Sequence, residues 1–155
     1  MTATTALEVV YQREPATNAL FLEMKPLVDA HANEIPSITG LKLDVDWDWF
    51  ARMEQSWMLN VYTARKMGKL IGYIVGTALI DPIHKGKKMA AVNIAYISPN
   101  ERGFGLDFIE WAESEMGAMG CEGVFWSASA SSGIGVILER MNYLKADTTY
   151  YGSLN

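Results

Sequence analysis

Apolar residues along this chain recur at two spacings, and the spacing switches repeatedly between them. Residues 7–11, LEVVY, predict a short first strand. Leu20, Phe21, Met24, Leu27, Val28 and His31 then recur at three and four residues, which is one face of a helix. Glu14-Pro15-Ala16-Thr17 marks the turn before it, and Pro26 inside the pattern predicts a kink or an interruption. After a loop around Pro36 and Gly40, LDVDWDWF (residues 43–50) alternates acid and apolar side chains. Period two suggests a strand there, with a helix starting at Asp46 or Asp48 as cap the alternative. Residues 56–65 have the aromatic and branched content of a strand, and Lys66-Met67-Gly68-Lys69 reads as a hairpin turn. Residues 70–80, LIGYIVGTALI, are apolar on both faces, as expected of a central strand covered on both sides.

The polar loop DPIHKGKK, residues 81–88, leads to the stretch that organises the rest, AVNIAYISPNERGFG, residues 91–105. An apolar run gives way to a glycine loop, and the LDFIEWAESEMGAM that follows has helical spacing. Phe108, Ile109, Ala112, Met116 and Met119 form its apolar face, while Glu110, Glu113 and Glu115 read as mostly outward. A helix opened this way bares main-chain N–H groups at the positive end of its dipole, and glycines let a bulky anion come close. Strand, loop and helix together predict a phosphate or pyrophosphate site. Residues 123–130 then predict a fifth strand, residues 134–141 a short helix, and Thr148 to Leu154 the core of a final strand.

Length and composition narrow the class. The 155 residues suit a single domain over 1–155, without an internal repeat or a long linker. A net charge of −5 argues against a nucleic-acid partner, and no apolar run is long enough for a membrane span. The first residues show no basic segment ahead of a long apolar one, so no signal peptide is expected. The one cysteine, Cys121, cannot form an internal disulfide, which fits a cytoplasmic location, and it reads as a small buried residue. Five Trp and nine Met suggest a bulky core, with an apolar groove or an oligomer face as a further use. Asp44, Asp46 and Asp48 lack the glycine and distal Glu of a calcium loop, so no metal is expected. They read better as a helix cap and an acidic, aromatic lip beside a substrate groove. His31 reads as a partly buried or capping residue, and His84 as a solvated loop residue.

Ile97-Ser98-Pro99-Asn100-Glu101-Arg102-Gly103-Phe104-Gly105 resembles motif A of the GNAT superfamily of N-acetyltransferases, with Arg102 and Gly105 on its first two fixed positions. Leu138-Glu139-Arg140-Met141-Asn142-Tyr143 resembles a later segment of that family, and residues 68–76, GKLIGYIVG, its third strand. In flavour the chain is similar to the small acetyltransferase-like proteins of tailed bacteriophages, where the location would be the host cytoplasm. The resemblance implies an α/β (α+β) fold: a mixed, mostly antiparallel sheet of six to seven strands, flanked by about four helices and splayed between strands 4 and 5. It implies acetyl-CoA as cosubstrate, its pantetheine arm along Ala95, Tyr96 and Ile97. Its pyrophosphate would sit on the amides of Arg102, Gly103, Phe104, Gly105 and Leu106, with Ser131 beside it. The reaction would be direct acetyl transfer to an amine of a small molecule or a protein. A homodimer is also expected from the likeness.

Three departures from the family pattern stand out. Asp107 occupies the last Gly/Ala position of motif A, where its charge suits the helix dipole and repels a pyrophosphate. Leu138 replaces the tyrosine that often protonates the leaving thiolate, leaving Tyr143, Tyr150 or Tyr151 as substitutes. Asn93 stands where relatives often carry an acidic base; an amide takes no proton at neutral pH but orients a water or the amine. Asn93 and Tyr143 are therefore the candidate catalytic residues, with Asp44, Asp46, Glu54, Asp81, His84 or water as the base. The alternative reading is a catalytically lapsed member that binds a protein partner or assembles in a larger particle.

Overall fold

The computed structural model describes residues 8–35, 37–129 and 132–155. Ser131 and the predicted strand start at Leu7 lie outside the described residues. Five strands form one sheet in the order β1 (Val9–Glu14), β2 (Leu59–Lys66), β3 (Lys69–Ile80), β4 (Lys88–Ile97), β5 (Gly123–Trp126). The first four pair antiparallel, and β5 runs parallel to β4. The helices are α1 (Asn18–Glu34), α2 (Trp47–Gln55), α3 (Gly105–Ala118) and α4 (Ile134–Arg140).

Along β2 and β3 successive side chains enter two cores on opposite faces of the sheet. Val61, Tyr73 and Val75 pack with Leu20, Phe21 and Met24 of α1. Tyr62, Ala64 and Ile74 pack with Phe108, Ile109, Ala112 and Met116 of α3. This two-sided burial is what the continuous apolar run of β3 predicted. The β2–β3 turn places Met67 and Gly68 at φ 52° and 77°, the paired positive values of a tight hairpin. Arg65 beside that turn binds both Glu14 and Glu23, which ties β2 to β1 and to α1.

Several expected elements differ. The helix α1 runs through Pro26 without interruption: Pro26 is exposed, and the carbonyl it leaves without a donor belongs to Leu22, which is also exposed. The alternation at residues 43–50 does not make a strand. Asp46 accepts from the Trp49 amide at 2.8 Å and starts α2, so the capping alternative is the one realised. Among the described residues the sheet has five strands and not six to seven, because Thr148 to Leu154 pairs with none of them; Tyr150 is 89% and Leu154 101% exposed. Strand propensity reflects fit to a half-covered surface, and that segment has none beside it. The fifth strand stops at Trp126 and not at residue 130.

Candidate active site

The pairing of β4 changes character at one residue. Val75 faces Ile94 across the β3–β4 ladder, but Gly76 faces Val92, so Asn93 is an extra residue without a partner, a β-bulge. The bulge resets the alternation: Val92 points into the α3 core, yet Ile94, two residues on, packs on the α1 side. The β4–β5 ladder spans only Met89 to Val92 against Gly123 to Trp126 and ends at the residue before the bulge. One further bond, from the Ser127 amide to the Val92 carbonyl at 2.9 Å, closes it. Beyond that point β4 keeps β3 on one edge, and among the described residues no strand pairs with the other.

The opening is a cleft of about 240 Å³. Asn93, Ala95, Tyr96 and Ile97 form its β4 wall, and Trp126, Ser127 and Ser129 face them. Gly105, Phe108 and Ile109 of α3 and Ile134 and Ile137 of α4 form an apolar floor. His31, Glu34 and Ile35, at the end of α1, reach it from the other face of the sheet. The cleft is thus a notch through the sheet, with a mainly apolar side toward α3 and a polar side toward α1.

The loop between β4 and α3 is a short 3-10 segment, Pro99–Phe104, with Pro99 in its first turn. No side chain caps the first turn of α3, whose N-cap is Phe104. Around Gly103 a Cβ would meet nothing within 4 Å, so the approach is open. The Gly105 N–H donates to the Arg102 carbonyl, and among the described residues no side-chain acceptor competes with an anion for the other donors of this first turn. The pantetheine and pyrophosphate of acetyl-CoA fit these two features: an open strand edge and an uncapped helix start.

Arg102 and Gly105 line the cleft together with Ala95, Tyr96 and Ile97; Gly103, Phe104 and Leu106 do not. Phe104 packs on Tyr11 with ring centroids 6.2 Å apart, and Leu106 is exposed. Asp107 is exposed and does not line the cleft. Arg102 is already engaged. Its Nη2 lies 2.6 Å from the Glu34 carboxylate, its Nε donates to the Ile97 carbonyl at 3.1 Å, and its guanidinium covers the Tyr96 ring.

Asn93 sits in the cleft on the bulge, whereas Tyr143 does not reach it. The Tyr143 hydroxyl donates to Glu113, and the Trp126 indole N–H donates to the other oxygen of the same carboxylate at 2.7 Å. Burial and that carboxylate push the Tyr143 phenol well up, so it holds its proton. Glu113 is therefore a hinge pin between α3, β5 and the chain after α4, and not part of a solvated charge run. Asp44, Asp46, Glu54, Asp81 and His84 all lie outside the cleft lining; Asp46 caps α2, and Asp81 is paired with His84. Burial raises the Cys121 thiol, as befits a structural cysteine.

Sequence reasoning missed the polar end of the cleft. His31 Nδ1 is 3.0 Å from the Tyr73 hydroxyl, and its ring stacks on Tyr96 with centroids 4.7 Å apart. The Tyr96 hydroxyl donates to Glu34 at 2.9 Å. Desolvation pulls the His31 pKa below its ordinary value, and burial pushes Tyr73 up. The hydrogen bond from Arg102 holds Glu34 low. The helical stripe ending at His31 was visible in the sequence, but nothing there showed that it ends in a gap of the sheet.

A mixed sheet splayed between its fourth and fifth strands, with a glycine loop opening the helix between them, defines the GNAT acetyltransferase fold. Solved structures share it across almost the whole chain. An aminoglycoside acetyltransferase from an uncultured soil metagenomic sample, crystallised with sisomicin, superposes with a TM-score of 0.73 at 16% identity, over 95% of this chain and 97% of that one. A ribosomal-protein-alanine N-acetyltransferase from Brucella melitensis biovar Abortus 2308 gives 0.70 at 19% identity, over 94% and 98%. A predicted acetyltransferase from Clostridium acetobutylicum, crystallised with acetyl-CoA, gives 0.70 at 14%, over 96% of each chain. No family model matches the sequence, and no curated protein does. Identities this low establish a shared fold. Among the described residues no helix is long and apolar enough to cross a membrane.

Proposed function

We propose that this chain is an acetyl-CoA-dependent N-acetyltransferase acting on a primary amine. One observation carries the reading: the β4 edge opens at the Asn93 bulge, directly beside a helix start that no side chain caps. An extended pantetheine arm adds to an open strand edge by main-chain hydrogen bonds, and a diphosphate binds bared amides. Ala95, Tyr96 and Ile97 would hold the arm, and the main chain around Gly105, whose own N–H already donates to the Arg102 carbonyl, would face the diphosphate. When bound, acetyl-CoA supplies an activated acyl group. The chain supplies main-chain N–H groups to polarise the carbonyl, apolar walls to exclude water, and Asn93 to orient the acceptor. The structures crystallised with acetyl-CoA and with sisomicin support the same assignment.

Calorimetric titration with acetyl-CoA tests the site, and thiol release with sisomicin, spermidine and an alanine-initiated peptide tests the chemistry. Saturable binding with turnover of one amine is expected; no heat and no thermal shift would overturn it. A second reading, a catalytically lapsed binding protein, draws on two observations: Arg102 is held by Glu34, and Tyr143 by Glu113. Measurable turnover removes that reading.

A further inference from the structure

We propose that His31 is the proton acceptor for the attacking amine, with the Tyr73 hydroxyl fixing its ring. The inference rests on the acetyltransferase reading above and names a base that neither Asn93 nor Tyr143 can provide.

Geometry carries it. His31 stands at the end of α1, and its side chain lines the same cleft as Asn93 from the opposite face of the sheet. Its Nδ1 faces the buried Tyr73 hydroxyl at 3.0 Å, and stacking on Tyr96 fixes the ring plane. In the tautomer this proposal requires, Nδ1–H donates to the Tyr73 oxygen and Nε2 keeps its lone pair for a substrate proton. The structure gives Nε2 no hydrogen-bond partner among the described residues. The groups around the ring come from four elements: Glu34 on α1, Tyr73 on β3, Tyr96 on β4, and Arg102 on the loop. Glu34 and Arg102 neutralise one another, so desolvation dominates and keeps the imidazole uncharged near neutral pH.

The step balances simply. The amine nitrogen forms a bond to the acyl carbon, the carbon–sulfur bond breaks with its electron pair on sulfur, and the proton shed by nitrogen passes to Nε2. The imidazolium then loses that proton to water, and the thiolate takes one from water.

The test uses the full chain and whichever amine of the three-member panel turns over fastest. His31→Gln is expected to lower kcat about 100-fold or more, typical of losing a positioned base. It should leave acetyl-CoA affinity within about twofold and flatten the acidic limb of the pH profile. Tyr73→Phe, which keeps the ring packing, should lower kcat about tenfold with KM unchanged and shift the His31 titration followed by NMR in the ligand-free protein. That titration should fall below the ordinary histidine value and coincide with the limb. A His31→Gln protein with wild-type kcat and an intact limb overturns the inference and leaves the acetyltransferase reading standing. Should His31→Gln not fold, Tyr73→Phe decides: an unmoved titration and rate overturn it. Wild-type protein that turns over no amine of the panel overturns both.

Discussion

The two halves of β4 differ in what their edges do. From Met89 to Val92 the strand has a neighbour on each side, and its inward side chains Ala90 and Val92 are buried against α3. From Asn93 to Ile97 it has a neighbour on one side only among the described residues, and Asn93, Ala95, Tyr96 and Ile97 line a cleft. One extra residue separates the halves. The same strand therefore supplies a segment paired on both sides and an edge that lines the cleft, and the paired half holds that edge in place. Stability should respond to changes below the bulge, and ligand affinity to changes above it.

Met116→Ala is the largest break expected on the stability side. Met116 is buried beneath the paired half, its methyl lying 3.4 Å from where a Cβ on Gly76 would stand. Removing it should cost about 3 kcal/mol in urea unfolding while leaving acetyl-CoA affinity near wild type. Ser127→Trp is the converse. Ser127 is exposed on the wall facing β4, so the added ring should weaken acetyl-CoA binding about 100-fold, or about 2.7 kcal/mol, in calorimetry. Its melting temperature should stay within about 2 °C of wild type, as for an exposed substitution. Equal effects of the two variants on both quantities would break the division.

Acid stability sharpens the comparison away from the cleft. Hydrogen bonds from Arg65 hold Glu14 and Glu23 below the ordinary carboxylate range against the desolvation of Glu14. Folded-state values below the unfolded ones mean stability that is complete above about pH 5 and is lost as pH falls through the carboxylate range. Arg65→Met should cost about 2 kcal/mol at pH 7 and flatten that acid slope, read by unfolding across pH 3 to 7. Smallest is Tyr96→Phe, which removes the hydroxyl bonded to Glu34. About 1 kcal/mol is expected by thermal unfolding, because the freed carboxylate keeps Arg102.

Much of the frame was legible because it rests on local rules. The hairpin at Met67-Gly68, the central strand at residues 70–80 and the loop into α3 each carry their own turn chemistry or apolar pattern. The parts left open or misread depend on what lies alongside. Asp46-Trp47-Asp48-Trp49 alternates like a strand, but one capping bond turns it into a helix. Tyr150 and Tyr151 have strand propensity but stay exposed and join no strand of the sheet. The cleft itself was only half legible: Arg102 and Gly105 announced it, whereas His31 and Glu34 at the end of α1 meet Tyr73 of β3 and Tyr96 of β4 only across the fold. The Asn93 bulge leaves no mark in the sequence, since it is a property of the β3–β4 register.

The central claim is that the open β4 edge and the start of α3 together take acetyl-CoA. Backbone amide NMR of the full chain, recorded with and without acetyl-CoA, tests it most directly. The account predicts the largest shifts at Asn93 to Ile97 and at Arg102 to Leu106, with β1 and residues 144–155 unmoved. Saturating acetyl-CoA that leaves those two stretches unchanged would contradict it.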